Sequence, residues 1–200
     1  MDNHTLSRSN KVLIFPDSVR LLSYAQSLQQ NSAGIEPSVL IVGGHECQVG
    51  PDKPASVCVI AEFLRQIGER TNVGCSRPAY WWKHREQYAR FRMIVEKINT
   101  ISDESSLEIF IAHYGESIRK QLRLLTIIEK SKYVLLVLTD FQNFSAKEQP
   151  ELAEAIHRLV FGASANFLIL TTNPPEMYRK GEFGEVGIQR NHDYYEVLVE

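Results

Sequence analysis

The sequence predicts an α/β protein with a doubly wound, mainly parallel five-stranded sheet, helices on both faces and a helical insertion. Short apolar runs alternate along the chain with longer segments whose apolar residues recur at helical spacing. This alternation is typical of parallel strands joined by crossover helices. The apolar runs are continuous, as expected for strands that are covered on both faces.

The first half of the chain begins with a strand at residues 11–15, which Pro16 ends. A helix follows at 17–30, where Asp17 or Ser18 can cap its first turn. The continuous apolar run 38–42 predicts the second strand, and it leads into two glycines. Apolar residues at helical spacing then predict a helix at 55–70.

The middle of the chain contains the predicted insertion, around residues 71–106. We expect residues 71–79 to be irregular and residues 80–100 to form a long amphipathic helix, which ends before the polar run 102–106. The apolar run 107–112 is predicted as the third strand, and residues 117–130 as the next helix.

The second half of the chain contains the clearest strand, the almost wholly apolar run 133–139. A helix is predicted at 149–161, because Pro150 suits the first turn of a helix. The run 166–171 is the fifth predicted strand, and residues 194–199 are predicted as an additional edge strand.

Composition narrows the class of protein. The chain has 200 residues, of which 44% are hydrophobic and 23% charged, as in ordinary globular proteins. Its formal net charge of −2 argues against a globally basic nucleic-acid-binding protein. The 3 cysteines include no CxxC pair, and no apolar stretch approaches the roughly 18 residues of a membrane helix. We therefore expect a cytoplasmic protein with no metal site and no membrane contact, with a flexible leader at 1–10 and a single domain at 11–200.

Ligands of parallel α/β sheets bind outside the carboxyl ends of the strands. This rule selects the predicted loops at 43–47, 113–116, 139–143 and 171–173. Gly43 and Gly44 would let the backbone approach a ligand, and peptide N–H groups beside His45 would hold phosphate. The alternative is that the glycines only make a tight turn, since the segment matches neither GxGxxG nor a P-loop.

Glu151 is predicted to lie in the first turn of the 149–161 helix, near the strand ends. A carboxylate there can accept hydrogen bonds from ribose hydroxyls or stabilise positive charge on a sugar. The alternative is that Glu148, Glu151 and Glu154 only complement the helix dipole.

Two stretches of sequence resemble bacterial Toll/interleukin receptor (TIR)-like nucleotide-binding domains. VLIVGGHE at 39–46, followed by IAEFLRQIG at 60–68, resembles their opening strand and helix, and TIIEKSKYVLLVLTD at 126–140, followed by Ser145 and Glu151, resembles their middle. The resemblance implies that NAD is a substrate, that no cofactor is tightly bound and that Glu151 is catalytic. The remaining expected contacts to the nucleotide are Gly43, Gly44, His45, Thr139, Asp140 and Ser145.

The predicted helix at 80–98 mixes aromatic and basic residues. The surrounding segment 76–97 holds six Lys or Arg against two Glu, and its aromatic residues include Trp81, Tyr88 and Phe91. Such a mixture can bind an anionic ligand or nucleic acid, but the apolar residues can equally form a packing face. We expect self-association or a protein partner at this helix and disfavour nucleic acid.

The rival interpretation is a non-catalytic sensor of a nucleotide or second messenger, or a protein-interaction adaptor. Rossmann-like sheets support many unrelated functions, so the fold alone does not choose between a hydrolase and such a module.

Overall fold

The computed structural model describes residues 10–31, 37–44, 53–75, 78–172 and 195–199. Its strands are β1 (Asn10–Ile14), β2 (Ser38–Gly43), β3 (Val134–Thr139), β4 (Ala165–Thr171) and β5 (Tyr195–Val199). They pair in parallel in the order β2-β3-β4-β1-β5. The helices are α1 (Ser18–Asn31), α2 (Ala55–Cys75), α3 (Pro78–Ile98), α4 (Glu104–Glu129) and α5 (Glu148–Val160), and a short 3-10 helix spans Phe141–Asn143.

Both faces of the sheet are covered by helices. Every residue of β3 is buried, which explains why its sequence is a continuous apolar run. Leu135 and Val137 pack in the cluster that contains the buried apolar residues of α1. Leu136 and Leu138 point to the opposite face and pack in the larger cluster with α2, α3, α4 and α5.

The α/β class and the parallel sheet are confirmed, but one of the five predicted strands is wrong. The runs 11–15, 38–42, 133–139 and 166–171 form strands, whereas residues 107–112 lie inside α4. The predicted edge strand is present as β5, which pairs with β1. Of the described helices, α1 packs on one face of the sheet and α2 to α5 pack on the other. With a single described helix on one face, the doubly wound arrangement stays a prediction.

Residues 107–112 are helical because they open a long pattern with helical spacing. Asp103 caps the helix by accepting a 2.8 Å hydrogen bond from the Ser106 N–H. Ile109, which a strand would place beside Leu107, is 70% exposed. The prediction that residues 113–116 form a loop at a strand end is also wrong, because these residues lie inside α4. The buried apolar residues of α4 continue at helical spacing through Leu107, Phe110, Ile111, Ile118, Leu122 and Leu125.

Three long helices connect β2 to β3. The prediction that residues 71–79 are irregular is wrong at both ends, because α2 continues to Cys75 and α3 begins at Pro78. Residues 76–77 lie outside the described residues. A polar bridge joins the three helices: Gln121 of α4 donates to Thr71 Oγ1 of α2 at 2.8 Å and accepts from Gln87 of α3 at 3.3 Å. Their description as an insertion into a single domain stays a prediction.

Four of the described helices begin at the carboxyl edge of the sheet: α1 on one face, and α2, α4 and α5 on the other. α2 follows β2 and α5 follows β3, so both start where those strands end. The last turn of α4 lies near the start of β3, because the helix leads into that strand. The helix runs in the opposite direction to the strand, so its first turn lies at the edge where β3 ends. Helix N-termini carry partial positive charge, so this edge combines strand ends with four such termini, three of them on one face.

Candidate functional site

The structure brings together Gly43, Gly44, Thr139 and Asp140, four of the predicted nucleotide contacts. β2 and β3 are neighbours in register, with Gly43 opposite Thr139, and the Gly44 N–H donates to the Thr139 carbonyl oxygen at 2.9 Å. A Cβ atom at Gly44 would lie 2.8 Å from the carbonyl oxygens of Thr139 and Asp140. Glycine is therefore required here by the close approach of two backbones. The predicted contact His45 lies outside the described residues.

Asp140 adopts a left-handed backbone conformation directly after β3. Its φ of 55° is unusual for a residue other than glycine, although aspartate tolerates it better than most. The Thr139 hydroxyl donates to Asp140 Oδ2 at 2.8 Å, so the two predicted side chains form one polar unit. Backbone strain of this kind is concentrated at functional sites, which makes the end of β3 a candidate ligand contact.

Ser145 has a structural role at the start of α5. Its N–H donates to Glu148 Oε2 at 2.8 Å, and its hydroxyl accepts from the Glu148 N–H at 3.3 Å. This reciprocal pair is a capping box, which satisfies N–H groups that have no partner within the helix. The structure therefore accounts for Ser145 without a nucleotide.

Replacement of Ser145 by alanine removes half of the capping box. We expect Ser145→Ala to lower the free energy of unfolding by about 1 kcal/mol, the usual cost of losing a serine cap. Thermal melting measures this as a decrease of about 2–4 °C in a protein of this size. Ser105→Ala, at an exposed position on α4, is the control. Equal melting temperatures for the two variants would contradict the capping role.

Glu151 lies in a pocket between α4 and α5, to which the first turn of α2 contributes Ser56. The pocket has a volume of about 290 Å³, and its apolar wall is formed by Leu107, Ile111, Pro150 and Ala155. Among the predicted site residues that the structure describes, Glu151 is the one that lines this pocket. The polar lining residues are Ser56, Glu104, Glu108, Glu151, Glu154 and Arg158.

Glu104 and Glu151 form a carboxyl pair across this pocket. The hydrogen bond with Glu151, together with partial burial and repulsion from the Glu151 and Glu148 carboxylates, raises the pKa of Glu104 to about 7. The nearby ammonium of Lys147 opposes this rise in pKa. With its pKa raised toward neutrality, the Glu104 carboxyl group can serve as a proton donor near neutral pH.

The raised pKa of Glu104 makes the stability of the fold depend on pH. An unfolded glutamate titrates near its ordinary value of 4.5, so between pH 4.5 and 7 the folded chain holds a proton that the unfolded chain has lost. The free energy of unfolding should therefore fall as pH rises through this window. Solvent screening limits the change to about 1 kcal/mol or less.

Thermal melting between pH 4.5 and 8 measures this decline. Glu104→Gln removes the titrating group and should melt at a higher temperature than the wild type above pH 7, whereas Glu116→Gln, at an exposed position of α4, should follow the wild type. Identical pH profiles for wild type and Glu104→Gln would contradict the raised pKa of Glu104.

The polar lining of the pocket is predominantly acidic. Its cation, Arg158, is engaged by two of the four carboxylates: Nε donates to Glu154 at 2.8 Å and Nη1 to Glu108 at 3.0 Å. The bond to Glu154 also raises the pKa of Arg158. Such a pocket favours cationic and hydroxyl-bearing groups and repels phosphate.

The sequence prediction missed Glu104 and Ser56. Glu104 falls within the polar run 102–106, which the sequence pattern predicts to separate two elements. Its position depends on recognising Asp103 as the cap of α4. Ser56 lies on the first turn of α2 and is 4% exposed. No motif signals either residue, because their role depends on how three helices meet.

The predicted association surface on α3 is partly used within the chain itself. Phe91, Ile94 and Ile98 are at most 1% exposed and belong to the core that α3 shares with α2 and α4. Met93, in contrast, is 62% exposed. The side chain of Trp81 lies outside the part of the chain that the structure describes. Packing therefore explains the apolar stripe of this helix, and a partner stays a prediction.

The sequence matches no protein-family model, and neither curated proteins nor solved structures give a significant match. In the described part of the chain, no group of three or more His, Cys, Asp or Glu side chains is placed to hold a metal ion. No helix within the described ranges has the length and apolar character needed to span a membrane.

Proposed function

We propose that the chain binds a nucleotide at the carboxyl edge of its sheet and cleaves the bond between nicotinamide and ribose in NAD. The observation that supports this proposal best is the carboxyl pair of Glu104 and Glu151 in a pocket at that edge. The resemblance to TIR-like domains independently selects Glu151. A raised pKa and a concave, partly apolar site are together typical of catalytic carboxyl groups.

Glu151 acts as the carboxylate that stabilises the reacting sugar. When the glycosidic bond breaks, both bonding electrons go to the ring nitrogen, and nicotinamide leaves as a neutral molecule. The positive charge then lies on the ribose, where an adjacent carboxylate stabilises it. The oxygen of a water molecule bonds to the sugar carbon, and its proton passes through the carboxyl pair to solvent. The products are nicotinamide, ADP-ribose and a proton.

The size and charge of the pocket limit which part of NAD can enter. Ligand sites usually span about 300–1,000 Å³, so a pocket of about 290 Å³ suits one half of a dinucleotide. The acidic lining favours the half that carries the cationic nicotinamide ring. The phosphates would lie outside the pocket, toward the carboxyl ends of β2 and β3.

Comparison of NAD with NADH tests the proposed chemistry. The reduced ring is not cationic and would have to leave as an anion, so we expect nicotinamide release from NAD and no cleavage of NADH. Chromatography of the products measures both. Equal cleavage of the two dinucleotides would contradict the proposal. Binding of NAD without cleavage would favour the rival nucleotide sensor.

A further inference from the structure

Ser56 presents a buried hydroxyl group that has no hydrogen-bond partner among the described residues. The residue lines the same pocket as Glu104 and Glu151, and it is 4% exposed. Within the described part of the chain, its Oγ atom makes no hydrogen bond. Buried hydroxyl groups are nearly always hydrogen-bonded in folded proteins, so this exception requires an explanation. A ligand in the pocket would provide the missing partner.

We propose that Ser56, Glu104 and Glu151 form one subsite for the vicinal diol of a ribose that carries a cationic base. The proposal rests on the proposed function for the identity of the sugar, and it adds the residues that recognise it. The three side chains come from the first turns of α2, α4 and α5, so a ligand between them contacts all three helices.

The chemistry of the three groups matches that of a diol. Each hydroxyl of a vicinal diol can donate one hydrogen bond and also accept hydrogen bonds. An ionised carboxylate accepts from hydroxyls, a protonated carboxyl group donates one hydrogen bond, and a serine hydroxyl does either. Glu151, Glu104 and Ser56 therefore offer the mixture of donors and acceptors that two adjacent hydroxyls require.

The remaining lining of the pocket selects the base rather than the phosphate. The buried side chains of Leu107, Ile111 and Ala155 offer an apolar wall for an aromatic ring. Glu108 and Glu154 hold Arg158, so the guanidinium is already paired with two carboxylates. The net charge of the lining is negative, which attracts a pyridinium ring and repels a phosphate group.

Titration calorimetry with nicotinamide riboside tests the subsite, because this probe carries the cationic ring and the diol but no phosphate. We expect Ser56→Ala to weaken its binding about three- to tenfold, the usual effect of one neutral hydrogen bond, and Glu104→Ala to weaken it at least as much. The 1-methylnicotinamide cation has the same positively charged ring without the sugar, so its binding should not change in Ser56→Ala. Ser105→Ala, exposed on α4, should bind both probes as the wild type does.

Folding is checked by thermal melting of each variant. If Ser56→Ala does not fold, Ser56→Cys keeps the size of the side chain, loses most of its hydrogen-bonding strength and should show the same loss of riboside affinity.

The outcomes separate the subsite from the proposed function. Riboside binding that depends on Ser56 and Glu104, with no nicotinamide release from NAD, would support the subsite and overturn the function. Nicotinamide release that requires Glu151, with riboside binding unchanged in both variants, would overturn the subsite and leave the function in place. No binding of the riboside to the wild type would also overturn the subsite.

Discussion

Replacement of Glu151 by glutamine is expected to lower the rate of nicotinamide release from NAD by about 100- to 1,000-fold. A loss of this size is usual when one group that stabilises the transition state is removed. Glutamine keeps the size of the side chain but cannot supply the negative charge that the developing sugar cation needs. The fold should remain intact, because the substitution removes one of two carboxyl groups that repel each other. A time course of product formation measures the rate, and melting curves check folding.

Glu116→Gln is the matched control, since Glu116 is an exposed glutamate on α4 that forms surface ion pairs with Arg119 and Lys120. Surface pairs of this kind contribute little to stability. We expect this variant to retain the wild-type rate and melting temperature. A Glu151→Gln variant that folds and still releases nicotinamide at the wild-type rate would remove Glu151 from the mechanism.

Replacement of Gly44 by alanine is expected to destabilise the fold by about 1–3 kcal/mol, the range for forcing an extra methyl group into a packed site. The new Cβ atom would lie 2.8 Å from two backbone carbonyl oxygens and 3.1 Å from Cε2 of Phe144. Backbone atoms in adjacent sheet strands cannot move away cheaply. Chemical denaturation measures the change in the free energy of unfolding.

Gly68→Ala provides the control for this substitution. A Cβ atom at Gly68, inside α2, would meet Phe91 at 3.6 Å, an ordinary van der Waals distance. Alanine also favours the helix over glycine by about 1 kcal/mol. This variant should therefore be as stable as the wild type or more stable. A Gly44→Ala variant with wild-type stability would show that β2 and β3 do not approach as closely as described.

Sequence patterns predicted the sheet well where burial alone decides the structure. Residues 133–139 could be assigned because a short, wholly apolar run suits a strand buried on both faces. Residues 107–112 have a similar composition, yet they belong to α4. A short apolar run fits either structure, and the deciding information lies further along the chain, where Ile118, Leu122 and Leu125 continue the helical spacing.

The candidate site was only partly predictable for a related reason. Glu151 could be placed at the edge of the sheet because helix starts and strand ends are local features of the sequence. Glu104 lies 47 positions earlier in the chain. It reaches Glu151 because α4 ends near the start of β3, which places the first turn of α4 beside the first turn of α5. Ser145 was expected to bind a ligand, and its capping role depends on a local hydrogen bond with Glu148.

The most direct test of the proposed function is the amount of nicotinamide released when concentrated wild-type protein is incubated with NAD, together with melting curves in the presence and absence of NAD. The carboxyl pair at the sheet edge predicts nicotinamide and ADP-ribose in equal amounts and a higher melting temperature with NAD. Absence of both product release and a melting shift at every protein concentration would contradict the assignment of this pocket to NAD.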